Sequence, residues 1–472
     1  MTFIPHLEYP YAVHIDEWRQ IAHANTLLNA ATVTNLDPFS GQPSSDEVIS
    51  LELGYHLLLA VFQRVTGISW IDIARYLPSI IFVFTVLSVY IFAKRMGFGW
   101  EASFFTSLIP TTVGILGPAF LVPVALGLTF VCLVLFMAFN FRSFWSYLVI
   151  CISVSYLAIL HPQSAILITM ILVPLILLGL IGDIKHSVAT MLAITLPFIV
   201  TLPKTSGLIL YEASSLFTKK PLPIYHDFLT IITGYGYLPT IFCLLGTFVL
   251  TARGGRKNYS LVLGLLILLA MLVVFYALHY GVGTLYLRGL LFAMLMMSIV
   301  AGAGLSALRT LELPWAAATR INKSPVMKTA RFLLCLIVIG ATLAIAIPDR
   351  LDEGYYHMID ETDYNAFVWI RNNVDASFQK AILDPWKATA FTAITGKYVY
   401  TRIHMAPGPI DNAAYDFLKS GSTNTTFLRE NGITIIYTRV DDGNRQVEYS
   451  PRNPDLIEVT GNVYLLRQSG DK

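Results

Sequence analysis

Charge is scarce in this chain: of 472 residues only 13% are Asp, Glu, Lys or Arg, while 55% are hydrophobic. Soluble domains carry charge on about a quarter of their residues, so the deficit excludes an ordinary water-soluble protein and points to a polytopic membrane protein. Net charge is also small, +2, and the basic residues are dispersed or sit between apolar runs. Without a basic patch to track phosphates, nucleic-acid binding is excluded. Cysteine is rare as well. The four present, Cys132, Cys151, Cys243 and Cys335, fall inside apolar stretches with no CxxC spacing, which argues against disulfides and thiolate metal sites. No signal-peptide pattern opens the chain, because the first apolar run arrives late.

Apolar length is what the chain does have. A membrane crossing needs about 20 residues, and ten stretches qualify, near 77–96, 101–118, 120–139, 145–160, 164–182, 187–202, 228–252, 259–278, 284–306 and 331–347. Lys and Arg orient them. "AKRMG", "NFRSF", "GDIKH", "ARGGRK" and the 307–331 segment with Arg309, Arg320, Lys323, Lys328 and Arg331 fall in alternate gaps, which makes those gaps cytoplasmic. Residues 1–76 and 349–472 are then both extracytoplasmic. The expected organisation is an external loop with interfacial helices over 1–76, a bundle of about ten helices over 77–348, and a soluble α/β domain over 349–472.

The segment "LELGYHLLLAVFQRVTG", 51–67, is apolar but short, and it carries Glu52, His56, Gln63 and Arg64. Counting it as a span inverts every later loop, so it reads as a helix lying in the outer interface. A chain that begins outside implies a first helix lost or lying upstream of Met1. In the tail, "DETDYNAFVWIRNNV", "WKATAFTAITG", "NAAYDFLKSG" and "TNTTFLRENG" read as helices, and "KAILD", "KYVYTR", "ITIIYTR" and "NVYLLRQ" as strands. That alternation favours a small α/β sandwich. The triplet "NTT" at Asn424 is a glycosylation sequon on the outer side.

The stretch "HIDEWRQIAHAN" puts two carboxylates, Asp16 and Glu17, ahead of a run in which Glu17, Ile21 and Ala24 share one helical face and Asp16, Gln20 and His23 its neighbour. It reads as a helix start with its acids at the positive end. Following it come "LELGYHLLLAVFQRVTGISWIDIARYLPSIIFVFTVLSVYIFAKRMG" and the late "LYLRGLLFAMLMMSIVAGAGLSAL". In this order the three resemble the GT-C superfamily of integral membrane glycosyltransferases, which includes protein O-mannosyltransferases, lipid A aminoarabinose transferases and the catalytic subunit of oligosaccharyltransferase. Glu52 and Leu53 stand where that family's pattern has prolines. The stretch "FVWIRNNVDASFQKAILDPWKATAFTAITGKYVYTR" is similar to the family's outer domain.

The resemblance implies an α-helical polytopic GT-C-like bundle with a C-terminal extracytoplasmic α/β domain in the plasma membrane. It implies sugar transfer from a polyprenyl-phosphate carrier to a protein, glycan or lipid acceptor. Asp16 and Glu17 match the family's acidic loop by position and type, as base and acceptor positioner, or as ligands of a divalent metal, Mg or Mn, with His226 and Asp227 as partners for Asp16. A carboxylate near a bilayer surface suits the base.

Arg288 lies a few residues into an apolar run, where a cation is costly unless partnered. The family's late-helix arginine meets the carrier phosphate, and a bidentate phosphate contact answers the cost; snorkelling to headgroups answers it too. Lys219 and Lys220 are further phosphate contacts or simply solvated. His161, beside a helix-breaking proline, is a carrier contact or a capped turn. His56 and Glu52 are acceptor-side candidates. A lipid or sugar flippase would also need intramembrane polar groups, but such transporters show internal repeats that are not apparent here. A non-catalytic relative would keep the same helices.

Overall fold

The computed structural model describes residues 2–30, 36–43, 52–111, 117–215, 229–310, 325–351, 357–403, 406–442 and 445–467. Two helices, α1 (Ile15–Ala30) and α2 (Leu53–Thr66), precede the apolar series. That series runs α3 (Trp70–Lys94), α4 (Gly99–Ser107), α5 (Pro123–Asn140), α6 (Phe144–Leu160), α7 (Pro162–Gly182) and α8 (Ile184–Ser215). It continues with α9 (Thr230–Tyr235), α10 (Tyr237–Arg253), α11 (Arg256–Leu278), α12 (Gly283–Thr310) and α13 (Pro325–Leu351). The tail adds α14 (Glu361–Asn373), β1 (Lys380–Ile382), α15 (Ala388–Thr395), β2 (Tyr398–Val399), α16 (Pro409–Lys419) and α17 (Thr425–Glu430). It closes with β3 (Ile435–Tyr437), β4 (Arg439–Asp441), β5 (Gln446–Glu448), β6 (Leu456–Thr460) and β7 (Val463–Leu466).

Among the described residues, seven helices are long and apolar enough to cross a membrane, and α6 and α10 are shorter apolar helices. The chain is an α-helical polytopic membrane protein with a C-terminal α/β part. Two expected spans need correction: 228–252 is broken at Gly236 (φ +106) into α9 and α10, and 101–118 is interrupted as well. Residues 101–118 do not form a continuous helix: α4 stops at Ser107 after nine residues, because Pro110 cannot supply an amide and Gly117 and Pro118 favour irregular backbone. Helix α4 is nonetheless buried, packed on α12, and irregular backbone at membrane depth is tolerated where protein covers it.

Contacts divide the chain into two compact units. The first comprises Met1–Glu8, Leu51–Tyr55 and Tyr76–Tyr355. Its centre is α12, buried over 94% of its apolar window. The run "AGAGL" lets neighbours approach closely: a Cβ on Gly304 would overlap the Phe242 carbonyl of α10, and one on Gly302 would meet the backbone of Ala102 in α4. Small residues serve this purpose wherever lipid supplies no hydrophobic drive between helices. At one end of this bundle Arg95, Arg142, His186, Arg253 and Arg256 line a single cavity of about 430 Å³. Four of the five basic loops assigned to one side by charge therefore sit together. Arg142 Nη2 lies 2.9 Å from Asp183 Oδ2, and Arg309 reaches Glu101 at 2.9 Å.

The second unit comprises Tyr9–Ser50, His56–Arg75 and Tyr356–Lys472. Its sheet has the order β2-β1-β3-β7-β6, with β1 parallel to β2 and β3, and β7 antiparallel to β3 and β6. The four strands and four helices expected in the tail are all present; β4, β5 and β6 are additional. The N-terminal segment is built into this unit. Tyr9 donates its hydroxyl to Ile359 O (2.8 Å) and stacks on His357 at 4.1 Å. The Val399 amide donates to Phe39 O (2.9 Å), Arg402 pairs with Asp37 at 3.1 Å, and α1 packs on α15.

At its centre the Asp363 carboxylate, with no exposed surface, accepts from Lys387 Nζ (2.9 Å) and the Tyr437 hydroxyl (2.6 Å), with Arg439 Nη1 at 3.1 Å. Lys387 is itself buried and also donates to Gln446 Oε1 (2.6 Å). Removing one partner strands a buried charge, a loss of about 3–5 kcal/mol. Asp363→Ala is therefore expected to lower the unfolding midpoint sharply, and Asp363→Leu combined with Lys387→Met to recover most of it, measured by thermal unfolding in detergent.

Candidate functional site

The start of α1 shows how its two acids differ. His14 is the residue before the helix, and its Nδ1 accepts the Asp16 amide at 3.0 Å. Glu17, three residues on, reaches back so that its Oε2 accepts from the Val13 amide (2.8 Å) and the His14 amide (3.1 Å). This is a capping box with an imidazole in place of the usual hydroxyl. Glu17 has no exposed surface, and its carboxylate holds backbone. Asp16 points elsewhere, its side chain 21% exposed and Oδ2 3.8 Å from His14 Nδ1. Because Nδ1 already accepts an amide, its lone pair is engaged and the neutral ring carries its proton on Nε2. The approach to Asp16 is therefore not an ion pair while His14 is neutral.

Around Asp16 the helix buries an unusual amount of polar surface. His14, Glu17, Gln20 and His23 are all buried, although such side chains normally face water. From α2, His56 stacks on His23 with ring centroids 4.6 Å apart at 14°, and Phe39 meets His23 edge-on at 6.0 Å. Burial, reinforced by the Arg19 charge, pushes the His56 pKa down to about 3, and its Nε2 has no hydrogen-bond partner among the described residues.

An ordinary histidine in the unfolded chain takes a proton below about 6.5, whereas folded His56 refuses it until about 3. Stability is thus lost as pH falls between those values, at up to about 1.4 kcal/mol per pH unit from this ring. His56→Gln is expected to flatten the acid side of the stability profile, as read from unfolding midpoints across that range.

In the bundle unit, Arg288 lies in the second turn of α12, half-buried, and its charge acts on His161. His161 joins α6 to α7: its Nδ1 is 2.7 Å from Ser164 Oγ and accepts the Ser164 amide at 3.3 Å. The capped turn is therefore present, and His161 is 1% exposed. Glu52, 8% exposed, precedes α2, where its carbonyl accepts the Tyr55 amide at 2.8 Å. Lys219, Lys220, His226 and Asp227 lie outside the described residues. Among the described residues no group of three or more His, Cys, Asp or Glu is arranged to hold a metal. The sequence placed Gln20 and His23 on the face of Asp16 but gave no sign that they, His14 and Glu17 are buried.

No protein-family model and no curated protein matches the sequence. Solved structures do. The oligosaccharyltransferase AglB from Archaeoglobus fulgidus, in complex with an inhibitory peptide and a dolichol-phosphate, superposes with a TM-score of 0.57 at 12% identity, over 90% of this chain and 65% of that one. The same archaeal enzyme in complex with Zn and sulfate gives 0.56 at 12% identity, over 90% and 64%. ArnT from Cupriavidus metallidurans in the apo state gives 0.55 at 13% identity, over 94% and 95%. The chain has the GT-C fold. The GT-C bundle and its appended α/β part account for nearly all of the chain, which spans just under two thirds of the archaeal enzyme's length. At these identities the fold is what is shared.

Proposed function

We propose that this chain is a membrane glycosyltransferase that moves a sugar from a polyprenyl-phosphate carrier to an acceptor hydroxyl or amide. The reaction occurs on the extracytoplasmic side of the plasma membrane, where the second unit would lie. The observation that carries the reading is Asp16: a partly exposed carboxylate in the first turn of a helix whose adjoining polar side chains are buried. The buried His14, Glu17, Gln20 and His23 surround a carboxylate that keeps 21% of its surface exposed, which supports a site built about that acid. The GT-C fold, shared with enzymes whose structures hold dolichol-phosphate and peptide, supports the same direction.

In this reading Asp16 takes the proton from the acceptor as the acceptor atom attacks the anomeric carbon. The bond from that carbon to the carrier phosphate breaks, and its electron pair leaves on the phosphate. Arg288 meets that charge with paired N–H donors, and His161 lines its approach. Glu17 fixes the backbone that aims Asp16. Glu52 and His56 shape the acceptor side, and Lys219 and Lys220 contribute further positive charge for the phosphate. The Mg or Mn expected with Asp16 has its other two expected ligands, His226 and Asp227, outside the described residues, and no step here runs through a metal.

Native mass spectrometry of the protein reconstituted with polyprenyl-phosphate sugars tests this. The expected result is a bound carrier whose sugar is lost when acceptors from the source membranes are added. A carrier that binds and keeps its sugar would instead fit a non-catalytic relative, and a carrier that never binds would end the proposal.

A further inference from the structure

Beside α1 the second unit carries a cavity of about 490 Å³, with another of about 280 Å³ adjoining it. Both are lined by Asn25, Asn29 and Gly396, so they form one groove. Trp18, Ile21, Asn25 and Asn29 line the larger part, and their spacing of three or four residues places them on one helical face. The groove therefore follows the helix axis. It begins at Trp18, two residues from Asp16, and extends to Asn29, about 17 Å of helix at 1.5 Å per residue.

The lining has a definite chemical character. Three aromatic side chains, Trp18, Trp70 and Tyr364, share it with the amides of Asn25, Asn29 and Gln63. An amide offers a donor beside an acceptor, the arrangement that two neighbouring hydroxyl groups match; Asn25 gives one N–H to Ala393 O at 3.4 Å, which fixes its side chain against α15. Flat aromatic faces suit the C–H faces of a sugar ring, as they suit other apolar edges. Trp18 is 1% exposed, and its indole N–H has no partner among the described residues, leaving a buried donor for a guest.

Charge is nearly absent. Arg371 is the one formal charge lining the larger cavity, and Asp37, in the smaller one, is already paired with Arg402 at 3.1 Å. A phosphorylated lipid headgroup would call for several cations, and a lipid chain would not call for amides. A peptide adding to the sheet would call for free backbone donors along an edge strand; the larger cavity is lined by no strand residue, and where edge strand β2 borders the smaller one at Tyr398, the Val399 amide is already given to Phe39 O.

We infer that the groove between α1 and α15 binds carbohydrate, and that the acceptor of the proposed transferase is a glycan whose reacting hydroxyl lies at the Asp16 end. The inference rests on the glycosyltransferase reading for its catalytic meaning, but not for the binding itself. Because Trp18 and Trp70 line the groove, the full chain in nanodiscs reports occupancy through its own fluorescence. Titration with maltotriose, mannotriose and N,N′,N″-triacetylchitotriose is expected to give saturable quenching with at least one of them.

Asn29→Ala and Gln63→Ala, at surface positions that leave the core untouched, are each expected to weaken that binding by up to about tenfold, the loss of one amide's hydrogen bonds. No saturable response to any sugar overturns the inference, as does binding that both variants leave unchanged. A saturable response to sequon-containing peptides with none to sugars assigns the groove to a peptide acceptor and overturns it equally. Carrier capture, followed by native mass spectrometry on the same samples, separates the outcomes. Sugar binding without carrier binding removes the transferase reading alone, and carrier binding without sugar binding removes this inference alone.

Discussion

Asp16→Asn is expected to lower sugar transfer by about 10²–10⁴-fold, the range that a general base contributes, with little change in thermal stability. The asparagine is isosteric and keeps the side chain's reach, but it cannot take a proton at working pH. Asp16 is 21% exposed and the helix start does not hang on it. Its own amide is held by His14 Nδ1, and the Val13 and His14 amides are held by Glu17. Glu17→Ala provides the contrast. It removes a buried carboxylate from two backbone donors, which costs about 1–3 kcal/mol for the unsatisfied groups, and activity should fall in step with the folded fraction. Initial rates at saturating acceptor, normalised to folded protein, separate the two. Parent-like transfer by Asp16→Asn would remove the base from the mechanism.

Much of the fold follows from local pattern. The tail helices could be read from their acidic starts and spaced apolar residues: Asp360 caps α14 by accepting the Asp363 amide, as the opening "DETD" indicates. Strand β3 is buried at every position and β1 at two of three, so their apolar runs stood out. Strand β6 gave no such signal. It lies at the edge of the sheet and mixes half-buried with exposed residues, so no side-chain alternation marks it. The break after α4 was hidden because a buried half-length helix is as apolar as a span, and only Pro110, Gly117 and Pro118 hinted at it.

Long-range pairing was beyond the sequence altogether. Nothing in "LDPFSGQP" announces that Asp37 meets Arg402, or that Phe39 lies 3.7 Å beneath the same guanidinium. At the candidate site the residue types were legible and their division of labour was not. Glutamate is one methylene longer than aspartate, long enough at this position to turn back to the amides before the helix. A histidine ahead of "xxE" was not read as a cap because serine or threonine usually stands there.

Arg288→Gln is expected to reduce the turnover number by about 10²–10³-fold, the effect of removing one donor aimed at developing charge, and Arg288→Lys to recover only part of it. The lysine restores the charge without the planar pair of N–H groups that fits two phosphate oxygens. The alternative role, a side chain snorkelling to lipid headgroups, makes the opposite forecast: lysine snorkels as well as arginine, so Arg288→Lys would behave as the parent and Arg288→Gln would suffer chiefly in stability.

The phosphate role is the one proposed for Arg288. This residue is half-buried in the second turn of a helix whose next residues are almost fully covered, and its charge falls on His161, a ring held in place by Ser164. Separate turnover and Michaelis constants for the carrier decide the matter. A loss confined to the Michaelis constant means that Arg288 holds the carrier equally before and during transfer, whereas a loss of turnover means that it acts on the charge that appears as the sugar leaves.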